Sequence, residues 1–86
     1  MKRGLPECLL VLRSCDADPG KVLEAATRAS RGCARLVIVV PEGEFTRCID
    51  VLRETVGTLI HTSISVWEGK PTRPMEEYER VEVYPP

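Results

Sequence analysis

Aromatic residues are scarce in this chain: Phe45, Trp67, Tyr78 and Tyr84 are the only ones among 86 residues. The core it can build is therefore mostly aliphatic. Histidine is scarcer still, with His61 alone, and the cysteines Cys8, Cys15, Cys33 and Cys48 form no C-x-x-C pair. One histidine without paired cysteines does not make a zinc site of ordinary spacing. No apolar run approaches the ~18 residues that a membrane span needs, so no membrane partner is expected. A signal-peptide core is also missing, because Gly4-Leu5-Pro6-Glu7 follows Met1-Lys2-Arg3 directly. The expectation is a cytoplasmic protein with reduced thiols, or one with intracellular disulfides if the source is a hyperthermophile.

A surplus of either charge is lacking too. Twelve basic and thirteen acidic side chains leave a formal net charge of −1, which argues against a strongly basic nucleic-acid module. The charge is nevertheless uneven. Residues 1–40 sum to +3 and residues 41–86 to −4, so a polyanion would draw on the first half. Nine of the twelve cations are arginine, whose planar fork suits phosphate and carboxylate.

What is present is a regular alternation of elements within one domain. Cys8-Leu9-Leu10-Val11-Leu12 is an apolar run that reads as a strand buried on both faces. Asp16-Ala17-Asp18-Pro19-Gly20 interrupts it, with Asp18 as N-cap and Pro19 at the first helical position. Val22, Leu23, Ala26 and Ala29 keep helical spacing up to a stop at Gly32, with Arg28, Arg31 and Arg35 on or just past the wet side. Leu36-Val37-Ile38-Val39-Val40 is a second buried strand, so the first two strands and their helix form a right-handed βαβ unit. After Pro41-Glu42-Gly43-Glu44, a continuous apolar stripe of Phe45, Cys48, Ile49, Leu52 and Val56 predicts a second helix ending at Gly57. Asp50, Arg53 and Glu54 fall on its wet side. From Thr58 the period becomes two: Ile60, Thr62, Ile64 and Val66 share one face of a strand, and His61, Ser63, Ser65 and Trp67 the other. Residues 68–78 hold Gly69, Pro71 and Pro74 without periodicity and read as a flexible hairpin arm. Val81 and Val83 alternate in a last strand that Pro85-Pro86 closes.

No catalytic set is legible, and the chain is not expected to be an enzyme or to need a cofactor. Gly20-Lys21 lacks the first glycine and the hydroxyl residue of a phosphate loop, and Asp16 and Asp18 would repel phosphate. His61 and Ser63 point the same way, yet no orienting acid or oxyanion hole accompanies them. Cys15, just before the first helix, is the best-placed thiol, while Cys8 and Cys48 look like small core hydrophobes. The arm holds Lys70, Arg73 and Arg80 among four glutamates, a net of −1, so protein and nucleic acid are comparable partners for it.

The order strand, helix, strand, helix, long strand, arm, final strand resembles the Alba superfamily of small archaeal chromatin and RNA-binding proteins. Thr46-Arg47-Cys48-Ile49-Asp50 stands where that family commonly shows Ser-Lys-Ala-Val-Asp, and Ile64-Ser65-Val66 and Val81-Glu82-Val83 flank the arm. The resemblance spans residues 7–84. It implies a two-layer α/β sandwich with a four-stranded mixed sheet, both helices on one face, and a homodimer or a heterodimer with a related subunit. It implies DNA or RNA binding, with Lys21 and Arg47 on the body and Lys70, Arg73 and Arg80 on the arm. The sequence departs from the family in its first strand–helix loop, where Cys15-Asp16-Ala17-Asp18 is acidic, and at Glu42-Gly43-Glu44. Fewer phosphate contacts mean weaker, less salt-dependent binding. The alternative is a protein-interaction or assembly subunit of the same fold that has lost nucleic-acid binding.

Overall fold

The structure is a computed structural model that describes residues 5–86. Its elements are β1 (Glu7–Leu12), α1 (Pro19–Ala29), β2 (Arg35–Val40), α2 (Phe45–Thr58), β3 (Ser63–Glu68) and β4 (Arg80–Tyr84), with a single 3-10 turn at Met75–Glu77. The four strands form one sheet in the order β3-β2-β1-β4.

Every neighbouring pair is parallel, and this corrects the mixed sheet expected from the resemblance. β4 does not fold back on β3. It pairs with β1 on the far side, Cys8 beside Arg80 and Leu12 beside Tyr84. The segment expected as a hairpin arm is instead a crossover. β1→β2 and β2→β3 step the same way across the sheet, and right-handed connections then put α1 and α2 on one face. The step from β3 to β4 returns past β2 and β1, so the same handedness sends residues 69–79 over the other face.

Two cores follow from these two faces. Cys8, Leu10, Leu12, Leu36, Ile38 and Val40 point to the helices and meet Val22, Ala25, Ala26, Ala29, Cys48, Val51 and Leu52. Leu9, Val37 and Val39 point the other way and are covered by Tyr78, from the crossover. All four cysteines are paired, Cys8 with Cys33 and Cys15 with Cys48, the cross-linked one of the two thiol states that the sequence leaves open. Their Cα atoms are 6.0 and 5.0 Å apart, within the ordinary reach of a disulfide. Closing loops of 25 and 33 residues stabilises the fold by about 3–4 kcal/mol each in the chain-entropy picture, a large share for a domain this small.

Three local expectations change. The buried face of α2 is Cys48, Val51, Leu52 and Thr55, whereas Phe45, Ile49 and Val56 from the apolar stripe are exposed. α2 passes Gly57 to end at Thr58, and the N–H of Leu59 closes its last turn on the Thr55 carbonyl. His61 therefore lies in an exposed turn ahead of β3, not on a strand beside Ser63. Among the described residues, no helix is long and apolar enough to cross a membrane.

Candidate nucleic-acid interface

In a parallel sheet the strand ends make two chemically different edges. The carboxyl ends face helix N-termini, and ligands of open α/β folds gather there, where the strand order reverses. The reversal lies between β1 and β4, and the Arg13 N–H donates to the Tyr84 carbonyl at 2.8 Å across it.

Three of the five expected phosphate ligands lie along this edge. Lys21 is exposed in the first turn of α1, Arg47 in the first turn of α2, and Lys70 just past β3. Acid surrounds them. Arg47 is bound to Asp16 at 2.7 Å and lies 3.6 Å from Glu44. Glu68 accepts the Phe45 N–H at 3.1 Å and so caps α2. Gly69, at φ 80°, lets the chain turn beside Glu42. Across the edge, Asp16, Asp18, Glu42, Glu44 and Glu68 outnumber Arg13, Lys21, Arg47 and Lys70. A phosphate would meet net repulsion there.

The other two expected ligands sit at the opposite, amino-terminal edge. Arg73 comes down from the crossover to Glu7, at 3.6 Å, and Arg35 approaches the other oxygen of the same carboxylate at 3.5 Å. Glu7 and Arg35 are register partners on β1 and β2, so their side chains leave the same face of the sheet. Arg80 opens β4 and donates from Nη1 to the carbonyls of Arg31 at 2.6 Å and Arg28 at 3.2 Å, filling acceptors that the end of α1 leaves open. Arg28 pairs with Glu82 at 3.1 Å. Five guanidinium groups, those of Arg28, Arg31, Arg35, Arg73 and Arg80, thus lie toward this edge with five carboxylates, Glu7, Glu76, Glu77, Glu79 and Glu82; Arg35 and Arg73 are on the crossover side of the sheet and Arg28 and Arg80 on the helix side.

The structure therefore divides the expected set. Lys70 is parted from Arg80 by the length of the crossover, while Arg73 reaches Glu7 from within it, and no single surface joins all five. Arg28, Arg31 and Arg35 belong with Arg73 and Arg80 although the sequence offers them only as a wet helix side. What signals them is the antiparallel run of a crossover helix against its strands, which brings the end of α1 to the start of β1 and β4. Compared with known proteins, the chain matches no family model, no curated protein and no solved structure.

Proposed function

We propose that this chain binds nucleic acid, DNA or RNA, through the arginine-bearing rim at the amino-terminal edge of its sheet. One observation carries the reading: Arg35 and Arg73 share a single carboxylate, that of Glu7, and stay about half exposed, at 52% and 46%. Each guanidinium keeps donors free for phosphate, which it meets as a fork. Such contacts position a duplex or hairpin without reading its sequence.

The test is fluorescence anisotropy with a labelled DNA duplex and a structured RNA at two salt concentrations. If the rim holds three phosphates, affinity falls about 40-fold between ~50 and ~200 mM salt. Arg35→Gln with Arg73→Gln should weaken binding and flatten that dependence, while Lys21→Gln with Arg47→Gln should leave both unchanged. Absence of binding at low salt, or loss only in the second pair, refutes the reading.

A second reading has its own support. The outer side of α2 is an apolar groove of about 400 Å³, flanked by β3. Phe45, Ile49 and Val56 are exposed there by 40, 37 and 51%. Monomeric surfaces rarely keep such a stripe bare. This favours a subunit that assembles through α2, with or without a nucleic-acid rim.

A further inference from the structure

We infer that the Cys8–Cys33 disulfide is a redox control on the arginine rim. Oxidised, it holds the loop that presents Arg31 and Arg35; a dithiol releases that loop and weakens nucleic-acid binding. The inference rests on the nucleic-acid reading above and adds its regulation.

The two disulfides differ in place and in access. Cys15–Cys48 ties the loop before α1 to the start of α2, at the carboxyl edge of the sheet, and its residues are buried, 7 and 0% exposed. Cys8–Cys33 lies at the opposite edge, with the rim. Cys8 is fully buried in β1, whereas Cys33 is partly exposed in the loop between α1 and β2 and is the most exposed of the four cysteines. A thiolate must reach one sulfur of a disulfide to displace the other. Cys33 offers that approach, so this disulfide opens before its buried counterpart.

The exchange is balanced within the two reactants. One thiolate of a dithiol attacks Sγ of Cys33, the S–S bond breaks, and the electron pair leaves on Sγ of Cys8, which takes a proton. The second thiol of the reagent then displaces Cys33 and closes the reagent's own disulfide. Arg80, the register partner of Cys8, leaves the sheet on the same side, and its charge favours the departing thiolate.

What the disulfide holds is the rim itself. It closes a loop of 25 residues that contains α1 with Arg28 and Arg31, and Arg35 follows Cys33 by two positions. The Cys33 N–H bonds only within the loop, to the Ser30 carbonyl at 2.9 Å. The Arg31 carbonyl accepts from Arg80 and the Ala34 carbonyl from the Ser63 N–H, and the disulfide is the covalent tie beside these hydrogen bonds. Gly32, at φ 79° with open space where a Cβ would stand, lets the loop move once that tie is cut. Arginines fixed beforehand cost less to order on a phosphate backbone. Coupling of this kind is reciprocal, so a bound duplex protects the disulfide by the factor that the disulfide adds to affinity.

The test follows anisotropy of a labelled DNA duplex at ~50 mM salt while the full chain is titrated with dithiothreitol, with alkylation and mass spectrometry reporting which cysteines are free. Cys8 and Cys33 should be alkylated first, and affinity should fall about five-fold or more as they are. The duplex should raise the dithiothreitol needed by a matching factor. Cys8→Ala with Cys33→Ala, its folding checked by a melting curve, should bind like the reduced chain and ignore the reagent. Should that variant not fold, duplex protection in the unaltered chain decides alone. Equal affinity in both states, earlier opening of Cys15–Cys48, or a duplex without effect on reduction overturns the control and leaves the rim standing. Absence of binding in either state overturns both.

Discussion

Thr55 carries a hydroxyl into a face that is otherwise apolar: it is fully buried, and its Oγ1 meets no hydrogen-bond partner. A buried hydroxyl without a partner costs about 1–3 kcal/mol. Thr55→Val keeps the shape and removes the cost, so it should raise the unfolding free energy by about 1 kcal/mol in urea titration. A loss of stability would show that the hydroxyl is satisfied after all. Single ion pairs matter less at this scale. Arg53–Asp50 is largely exposed and Arg28–Glu82 partly so, and such pairs contribute under about 1 kcal/mol. Arg80 differs, because its two carbonyl acceptors at the end of α1 make it a helix cap as well as a rim cation. A binding defect in an Arg80 variant therefore needs a stability measurement beside it. Arg35 and Arg73 are the cleaner probes.

Among the elements, β1, β2 and their helix could be read from the sequence because each is long, apolar or periodic and is bounded by proline or glycine. Asp18 does serve as N-cap residue of α1, with Pro19 behind it; its carbonyl, not its side chain, accepts the Lys21 and Val22 N–H groups. The outer face of α2 was less legible. Cys48 and Leu52 lie on the edge of two overlapping apolar faces, and periodicity does not say which of them a sheet will cover. The crossover was hidden altogether. Residues 69–79 have no period, and Arg80-Val81-Glu82-Val83-Tyr84 alternates in the same way whether it runs parallel or antiparallel to a neighbour. Its direction is set by contacts distant in sequence: Tyr78 on Leu9, Val37 and Val39, and Arg80 and Glu82 against α1. Tyr78 is 7% exposed and is the only buried residue of the crossover. Tyr78→Ala should cost about 3 kcal/mol and open the segment, so that a glutamate-specific protease cuts after Glu76, Glu77 and Glu79 well before the rest of the chain. Equal resistance to that protease would mean that the crossover is held by something other than this ring.

At the scale of the whole molecule, parallel strands separate charge that the sequence only interleaves. Both edges contain residues from the basic first half and the acidic second half. Yet five of the nine arginines gather at one edge, and the other holds more carboxylates than cations. The near-neutral total of −1 hides this, and so did the pairing of Lys70 with Arg73 and Arg80 on one supposed arm. The rim is the central claim and stands on a single chain. Its most direct test is a titration of the isotopically labelled protein with a short DNA duplex at ~50 mM salt, followed by NMR chemical shifts. Amide and guanidinium signals of Arg31, Arg35, Arg73 and Arg80 should move first and return as salt is raised. Shifts confined to Asp16–Lys21 and Glu42–Arg47, or none anywhere, would contradict it.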